Sequence, residues 1–121
     1  MKQLLFILCI LPALTVAQNL SVMTYNIRYD NSYDGINSWT EGNRKEKVFT
    51  IINDANPDIF GVQEALVHQL KFLEEHFPTY QREGVGRDDG KEAGEHSAIF
   101  FKKNRFVLLD KGNFWLSQTP D

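Results

Sequence analysis

Residues 57–66, PDIFGVQEAL, set the reading of the whole chain. Pro57 makes a turn, Asp58 to Gln63 reads as an apolar strand ready for burial, and Glu64 then stands at its tip. A carboxylate at the end of a core strand is costly unless a partner or a cation holds it. The question is what Glu64 faces.

Working outward, Asn56-Pro57 stops a helix that runs from Arg44 to Ala55, because the residue before proline is pushed out of the helical region. Val48, Ile51, Ile52 and Ala55 recur at the spacing of one helical face. Upstream, LSVMTYNI (20–27) reads as a strand covered on both faces, and the polar, glycine-containing stretch after it, RYDNSYDGINSWTEGN, as a loop. Downstream, Ala65 to Phe77 reads as a second helix with Leu66, Leu70, Leu73 and Phe77 as its buried stripe. Tyr80 to Val85 is a short strand, and GVGRDDGKEAG (84–94) a charged loop. HSAIFFKK, RFVLLD and NFWLS are expected as further strands, joined at Lys103-Asn104-Arg105 and at Lys111-Gly112. Strand, helix, strand, helix and then mainly strands gives a mixed α/β domain with helices on at least one side of its sheet. Phe114, Trp115 and Leu116 need partners that the remaining residues do not supply, so the chain reads as a fragment of a larger domain.

The first residues are expected to lie outside the fold. Lys2, the apolar run LLFILCIL (4–11), Pro12 and the small residues at Thr15 and Ala17 have the pattern of a secretory leader cleaved after Ala17. The run is shorter than the roughly 20 residues a membrane span needs, which disfavours an uncleaved anchor. Cys9 lies deep in that run behind bulky Leu8, which excludes a lipoprotein site. The expectation is a secreted or periplasmic protein with no stable membrane anchor, monomeric, whose domain occupies residues 18–121. Loss of the leader removes the single cysteine, and with it any disulfide or thiolate metal site within the chain. The 121 residues carry 13 Lys and Arg against 16 Asp and Glu, so the surface lacks the excess positive charge that a general polyanion binder uses. Phosphate chemistry here would need local positive charge or a metal.

The first two strands each end in a polar group, Asn26 in TYNIR and Glu64 in VQEA. In sheets with helical crossovers the carboxyl ends of strands are the usual ligand site, and adjacent parallel strands would bring the two side chains to one edge. A carboxylate and an amide oxygen are hard ligands suited to Mg²⁺. Equally, Glu64 could cap the following helix, where an acid complements the macrodipole. The residues alone leave both readings open.

Taken together, TYNIR, PDIFGVQE and GEHSAIFFKKNRF, in this order, resemble the endonuclease/exonuclease/phosphatase family. NSW with Arg44 downstream, GVGRDDG and FWLSQTPD are most similar to its secreted bacterial branch. The resemblance implies the first half of a four-layer α/β/β/α sandwich, two packed mixed sheets flanked by helices. It implies an Mg²⁺- or Mn²⁺-dependent hydrolase of phosphodiester or phosphomonoester bonds, with nucleic acid, phospholipid headgroup or sugar phosphate as substrate. It places the metal-binding glutamate on Glu64, the site asparagine on Asn26, and on Glu95 an acid that supports a catalytic histidine supplied later in the domain. An Asp-x-Asn and an Asp-His pair are expected beyond Asp121, which would leave the present residues inactive alone. Asp54-Ala55-Asn56 has the letters but ends a helix, and is discounted.

Other residues are weighed individually. Arg87 can fork onto a substrate phosphate or be neutralised by Asp88 and Asp89 beside it. His68 lies off the apolar stripe and reads as solvated, His76 as structural in the last helical turn, and His96 as turned away from Glu95. Lys102, Lys103 and Arg105 read as a solvated hairpin tip, and Arg44 as a structural residue at a helix entry. Two rival functions use the same residues: a glycoside hydrolase with Glu64 and Glu95 as its carboxylate pair, and a secreted binding module presenting Trp39 and Tyr33 from a surface loop.

Overall fold

The computed structural model describes residues 19–117, so the leader assigned to residues 1–17 and the tail 118–121 lie outside the described residues. Four strands form one sheet: β1 (Val22–Asn26), β2 (Ile59–Ala65), β3 (Tyr80–Glu83) and β4 (His96–Lys102), in the order β1-β2-β4-β3. β1 and β2 run parallel, with Asn26 opposite Gln63, and are linked through helix α1 (Arg44–Ala55). Helix α2 (Val67–His76) follows β2, and β4 pairs antiparallel with both β2 and β3.

One core sits between one face of the sheet and the two helices. Phe60 and Val62 from β2, Ala98 and Phe100 from β4 and Tyr80 from β3 meet Val48 and Ile52 of α1 and Leu70 and Leu73 of α2. The period of two along each strand puts these residues on one side. Phe60 is stacked on Phe100 at 4.6 Å between ring centroids and holds Phe77 and Tyr80 at its edges. Val22 and Ile99 project from the opposite face and are more than half exposed. A single mixed sheet carrying helices on one side is what the first half of a four-layer sandwich requires.

Several expectations change in detail. Of the α1 face, Val48 and Ile52 are buried, but Ile51 and Ala55 are exposed, and Phe49 packs against the core instead. The segment 28–43 is more than a loop, since residues Ser32–Asn37 wind into 3₁₀ turns kinked at Gly35. Among the described residues RFVLLD and NFWLS are not strands. A strand needs a neighbouring edge to pair with, and here Val107, Leu109, Phe114 and Leu116 are almost wholly exposed.

Lys102 and Arg105 are not a free solvated tip. Both engage Asp58, Lys102 Nζ at 3.3 Å and Arg105 Nη1 closer, and the Ser21 amide donates to the same carboxylate at 2.9 Å. The Ser21 hydrogen bond first, and then Arg105, hold the Asp58 carboxyl down to about 2. This knot ties the start of β1, the start of β2 and the end of β4 together at the sheet edge opposite the polar strand tips.

Candidate active site

At the carboxyl end of the parallel pair, Asn26 Nδ2 donates to Glu64 Oε1 at 2.7 Å. Asn26 is fixed in turn from behind, because its Oδ1 accepts the Arg28 amide at 2.9 Å. Glu64 lies within β2, not just beyond it, and the strand is irregular there. Val62 pairs with Ala98 and Ala65 with His96, so three steps on β2 face two on β4. The extra residue makes a bulge, a device that re-aims side chains and concentrates beside active sites. Glu64 takes φ +60° and Arg28 φ +64°, both in the left-handed region that non-glycine residues avoid. Such strain costs on the order of 1–3 kcal/mol per residue and persists where surrounding contacts impose it.

Helix α2 starts at Val67, two residues later than the expected Ala65, with Leu66 as its cap residue. Glu64 therefore precedes the cap position and bonds across the sheet to Asn26, so it does not cap the helix. Its remaining oxygen accepts no hydrogen bond among the described residues.

A polar belt surrounds this pair. Arg28 clamps Asp34 through two hydrogen bonds of 3.0 Å, and Arg44 reaches the same carboxylate at 3.4 Å. The Arg28 hydrogen bond holds Asp34 below the usual carboxylate range and raises Arg28 in return. Arg44 also donates to the Asn37 carbonyl at 2.6 Å, in keeping with a structural role at the start of α1. Asp30 is a second hub. It accepts from the Trp39 and Thr40 amides, the Thr40 hydroxyl and His68 Nε2, the last at 3.0 Å. Burial alone would push Asp30 up, and the Thr40, His68 and Trp39 hydrogen bonds outweigh it and hold the carboxyl down. His68 is thus half-exposed but paired, unlike the solvated residue expected from helical spacing. Trp39 is buried, edge-on to Phe72 at 5.4 Å, so it is no surface platform; of the two aromatic residues expected there, Tyr33 alone projects into solvent.

Glu64 and Glu95 line one open groove of about 590 Å³, together with Arg87, Ser97, Ile99 and Trp115. Glu95 immediately precedes β4 and accepts from Arg87 Nη1 at 3.3 Å; Arg87 also meets Asp88 at 3.2 Å. The Trp115 indole donates to the Arg87 carbonyl at 2.9 Å and holds this wall in place. His96 is buried, its Nδ1 against the carbonyls of Ala65 and Gly94, and it borders the same groove as Glu64 and Glu95. His76 stacks on Phe72 and bonds the Phe72 carbonyl, a structural arrangement. The structure therefore brings Asn26, Glu64, Arg87 and Glu95 to one edge. Among the described residues no three His, Cys, Asp or Glu side chains gather as a metal site. A hard divalent ion would find Glu64 as its carboxylate ligand here, with further ligands supplied from elsewhere.

Arg28, Asp30, Asp34 and Gln69 escaped the sequence reading. Three of them sit in a segment whose polar composition signals only a loop. Gln69 carried a faint signal, since it stands three residues after the helix cap, where a glutamine side chain reaches back to the cap amide.

A helix-backed α/β sheet with an oxygen-rich site at the carboxyl ends of parallel strands defines the class. The structure superposes on the endonuclease/exonuclease/phosphatase from Bacteroides vulgatus with a TM-score of 0.74 and 46% identity, over 81% of this chain and 37% of that one. It superposes on a mannosyl-6-phosphatase from Bacteroides thetaiotaomicron with a TM-score of 0.76 and 44% identity, over 84% of this chain and 38% of that one. Truncated TDP2 from Caenorhabditis elegans matches at 27% identity and a TM-score of 0.51, over 69% of this chain and 30% of that one. No family sequence model matches the chain, and no curated protein matches it. The chain belongs to the endonuclease/exonuclease/phosphatase family. It spans 37–38% of the length of its two bacterial relatives.

Proposed function

We propose that the whole protein is a metal-dependent phosphoesterase whose substrate is a phosphate ester, a sugar phosphate monoester first among them. The observation that carries the reading is the Asn26–Glu64 contact at 2.7 Å on a strained bulge, in a chain 44–46% identical to family members that include a mannosyl-6-phosphatase. The acidic balance of the chain favours a small substrate over long nucleic acid.

A phosphate ester repels an incoming nucleophile, so its oxygens must be neutralised and held. Mg²⁺ or Mn²⁺, when bound, supplies Lewis-acid neutralisation at those oxygens. Glu64 provides a hard carboxylate ligand for it. Asn26, with one Nδ2 hydrogen on Glu64 and Oδ1 on the Arg28 amide, orients that carboxylate and keeps its second Nδ2 hydrogen for a phosphoryl oxygen. Arg87 sits on the groove wall, where its guanidinium can exchange Glu95 for a phosphate. Glu95, released, would then support a histidine general base from outside the described residues.

The test is phosphate release by the full-length protein from mannose 6-phosphate and from a bis-aryl phosphodiester, before and after EDTA treatment. Loss on chelation, recovery with Mg²⁺ or Mn²⁺ and collapse in Glu64→Gln are expected. Hydrolysis indifferent to EDTA overturns the proposal, and turnover of glycosides under those conditions favours a carboxylate-pair glycosidase.

Secretion and a monomeric state belong to the same proposal, supported by the Lys2, 4–11 and Ala17 pattern and tested by N-terminal sequencing and light scattering of the exported protein. Among the described residues no helix is long and apolar enough to cross a membrane.

A further inference from the structure

We infer that Gln69 is a positioning residue for the Asn26–Glu64 pair, acting as a substitute rung where the sheet between β1 and β2 ends. The inference rests on the functional reading above.

The backbone ladder of the parallel pair closes with the Ile27 amide donating to the Gln63 carbonyl at 3.2 Å. Beyond that point both chains turn away through left-handed residues, Arg28 on one side and Glu64 on the other, and no strand hydrogen bond holds them together. The Gln69 side chain occupies the gap. Its Nε2 donates to the Arg28 carbonyl at 2.9 Å, and its Oε1 accepts the Asp30 amide and the Leu66 amide, each at 3.0 Å. Arg28 and Leu66 stand two residues beyond Asn26 and Glu64 respectively, so one amide group spans the exits of both site strands.

A capping role alone does not account for this arrangement. Capping the helix uses only the Leu66 bond. The other two reach 39 and 41 residues back along the chain. Gln69 is fully buried, so each of these bonds is made out of competition with water, and an apolar residue would leave two amides and a carbonyl unpartnered. With the amide gone, the Arg28 amide is freed to move with its segment. That amide is the donor that orients Asn26 toward Glu64.

The test uses the full-length protein carrying Gln69→Leu or Gln69→Glu, with Leu73→Ala as a control that destabilises the same helix and core without removing a hydrogen bond to the exits of the site strands. Supporting partners of metal ligands are worth about 10–100-fold in metal affinity. Gln69→Leu is accordingly expected to raise half-saturating Mg²⁺ at least about tenfold and to lower kcat more than it changes KM. Gln69→Glu keeps both acceptor bonds but sets a carboxyl oxygen against the Arg28 carbonyl in place of the donor; it is expected to show a shift of the same kind. Leu73→Ala is expected to lower the thermal midpoint with the Mg²⁺ dependence unchanged. Crystal structures of the variants give a readout independent of activity: the Asn26–Glu64 contact is expected to open. If the contact stays closed and the Gln69 variants lose only thermal stability, as Leu73→Ala does, the inference is overturned. If the unaltered protein hydrolyses no phosphate ester, the functional reading fails, and the crystallographic comparison still decides whether Gln69 sets the pair.

Discussion

Asn26 and Glu64, 38 residues apart in the chain, meet through one hydrogen bond of 2.7 Å across the ends of two parallel strands. Asn26 belongs to a strand end held by its own loop, whereas Glu64 sits in a bulge with a backbone conformation its side chain disfavours. Strained residues of this kind cluster at active sites and ligand clamps.

That strain separates stability from activity at position 64. Asn tolerates the left-handed region better than Glu. Glu64→Asn is expected to leave stability unchanged or to raise it by up to about 1 kcal/mol while lowering phosphoesterase turnover about 100-fold or more. Chemical denaturation and phosphate-release assays on the full-length protein check the two halves. A marked loss of stability would show that Glu64 has a structural task.

Asp58 is expected to contribute to the acid limit. Its folded-state value of about 2 lies below the usual carboxylate value near 3.9. The stabilisation is therefore fully present above about pH 4 and is lost as pH falls toward 2. Thermal midpoints measured across this window are expected to fall more steeply for the natural protein than for Asp58→Asn. The variant is expected to be less stable at neutral pH, having lost its ion pairs with Lys102 and Arg105. Parallel curves would assign the acid limit to another group.

Trp39 anchors the segment that carries Asp30 and Asp34. It is 3% exposed and packs against Phe72. Trp39→Ala is expected to cost about 3–5 kcal/mol, the usual loss for a buried large aromatic. Hydrogen exchange should show deprotection spreading through residues 30–43, where the Trp39 and Thr40 amides bond Asp30. Protection unchanged in that segment would mean that the two carboxylate hubs suffice without the ring.

Arg87 carries little of the fold. It is largely exposed, and its partners Asp88 and Glu95 lie at 3.2 and 3.3 Å. Exposed pairs of this kind contribute about 0–1 kcal/mol, so Arg87→Ala is expected to leave the thermal midpoint almost unmoved. KM for a sugar phosphate is expected to rise about tenfold, as when one charge-assisted contact to the substrate is lost. An unchanged KM would place the phosphate elsewhere in the groove.

The polar strand tips were legible before any coordinates because they interrupt apolar runs, and a charge there has few physical explanations. Asn26, Glu64, Glu95 and Arg87 do share one edge of the molecule. The order of the first four elements was legible for a similar reason, since helix and strand periods differ and Asn56-Pro57 and Pro78 mark the breaks. The segments RFVLLD and NFWLS misled because an apolar run reports the capacity to pair, while a strand also requires an available partner edge. Trp39 misled because a polar loop composition says nothing of one ring folded back onto a helix.

Local chain chemistry alone therefore determined the α/β class, the family resemblance and the residues that end the two parallel strands. Only the tertiary structure decided that Glu64 occupies a bulge, that Asp30 joins His68 to the Trp39 loop, and that Gln69 spans both strand exits. Each depends on contacts between residues far apart in the chain, up to 41 positions for Gln69 and Arg28. Periodicity and propensity are properties of neighbours along the chain. Which distant amide satisfies a buried carbonyl is settled only when the elements pack.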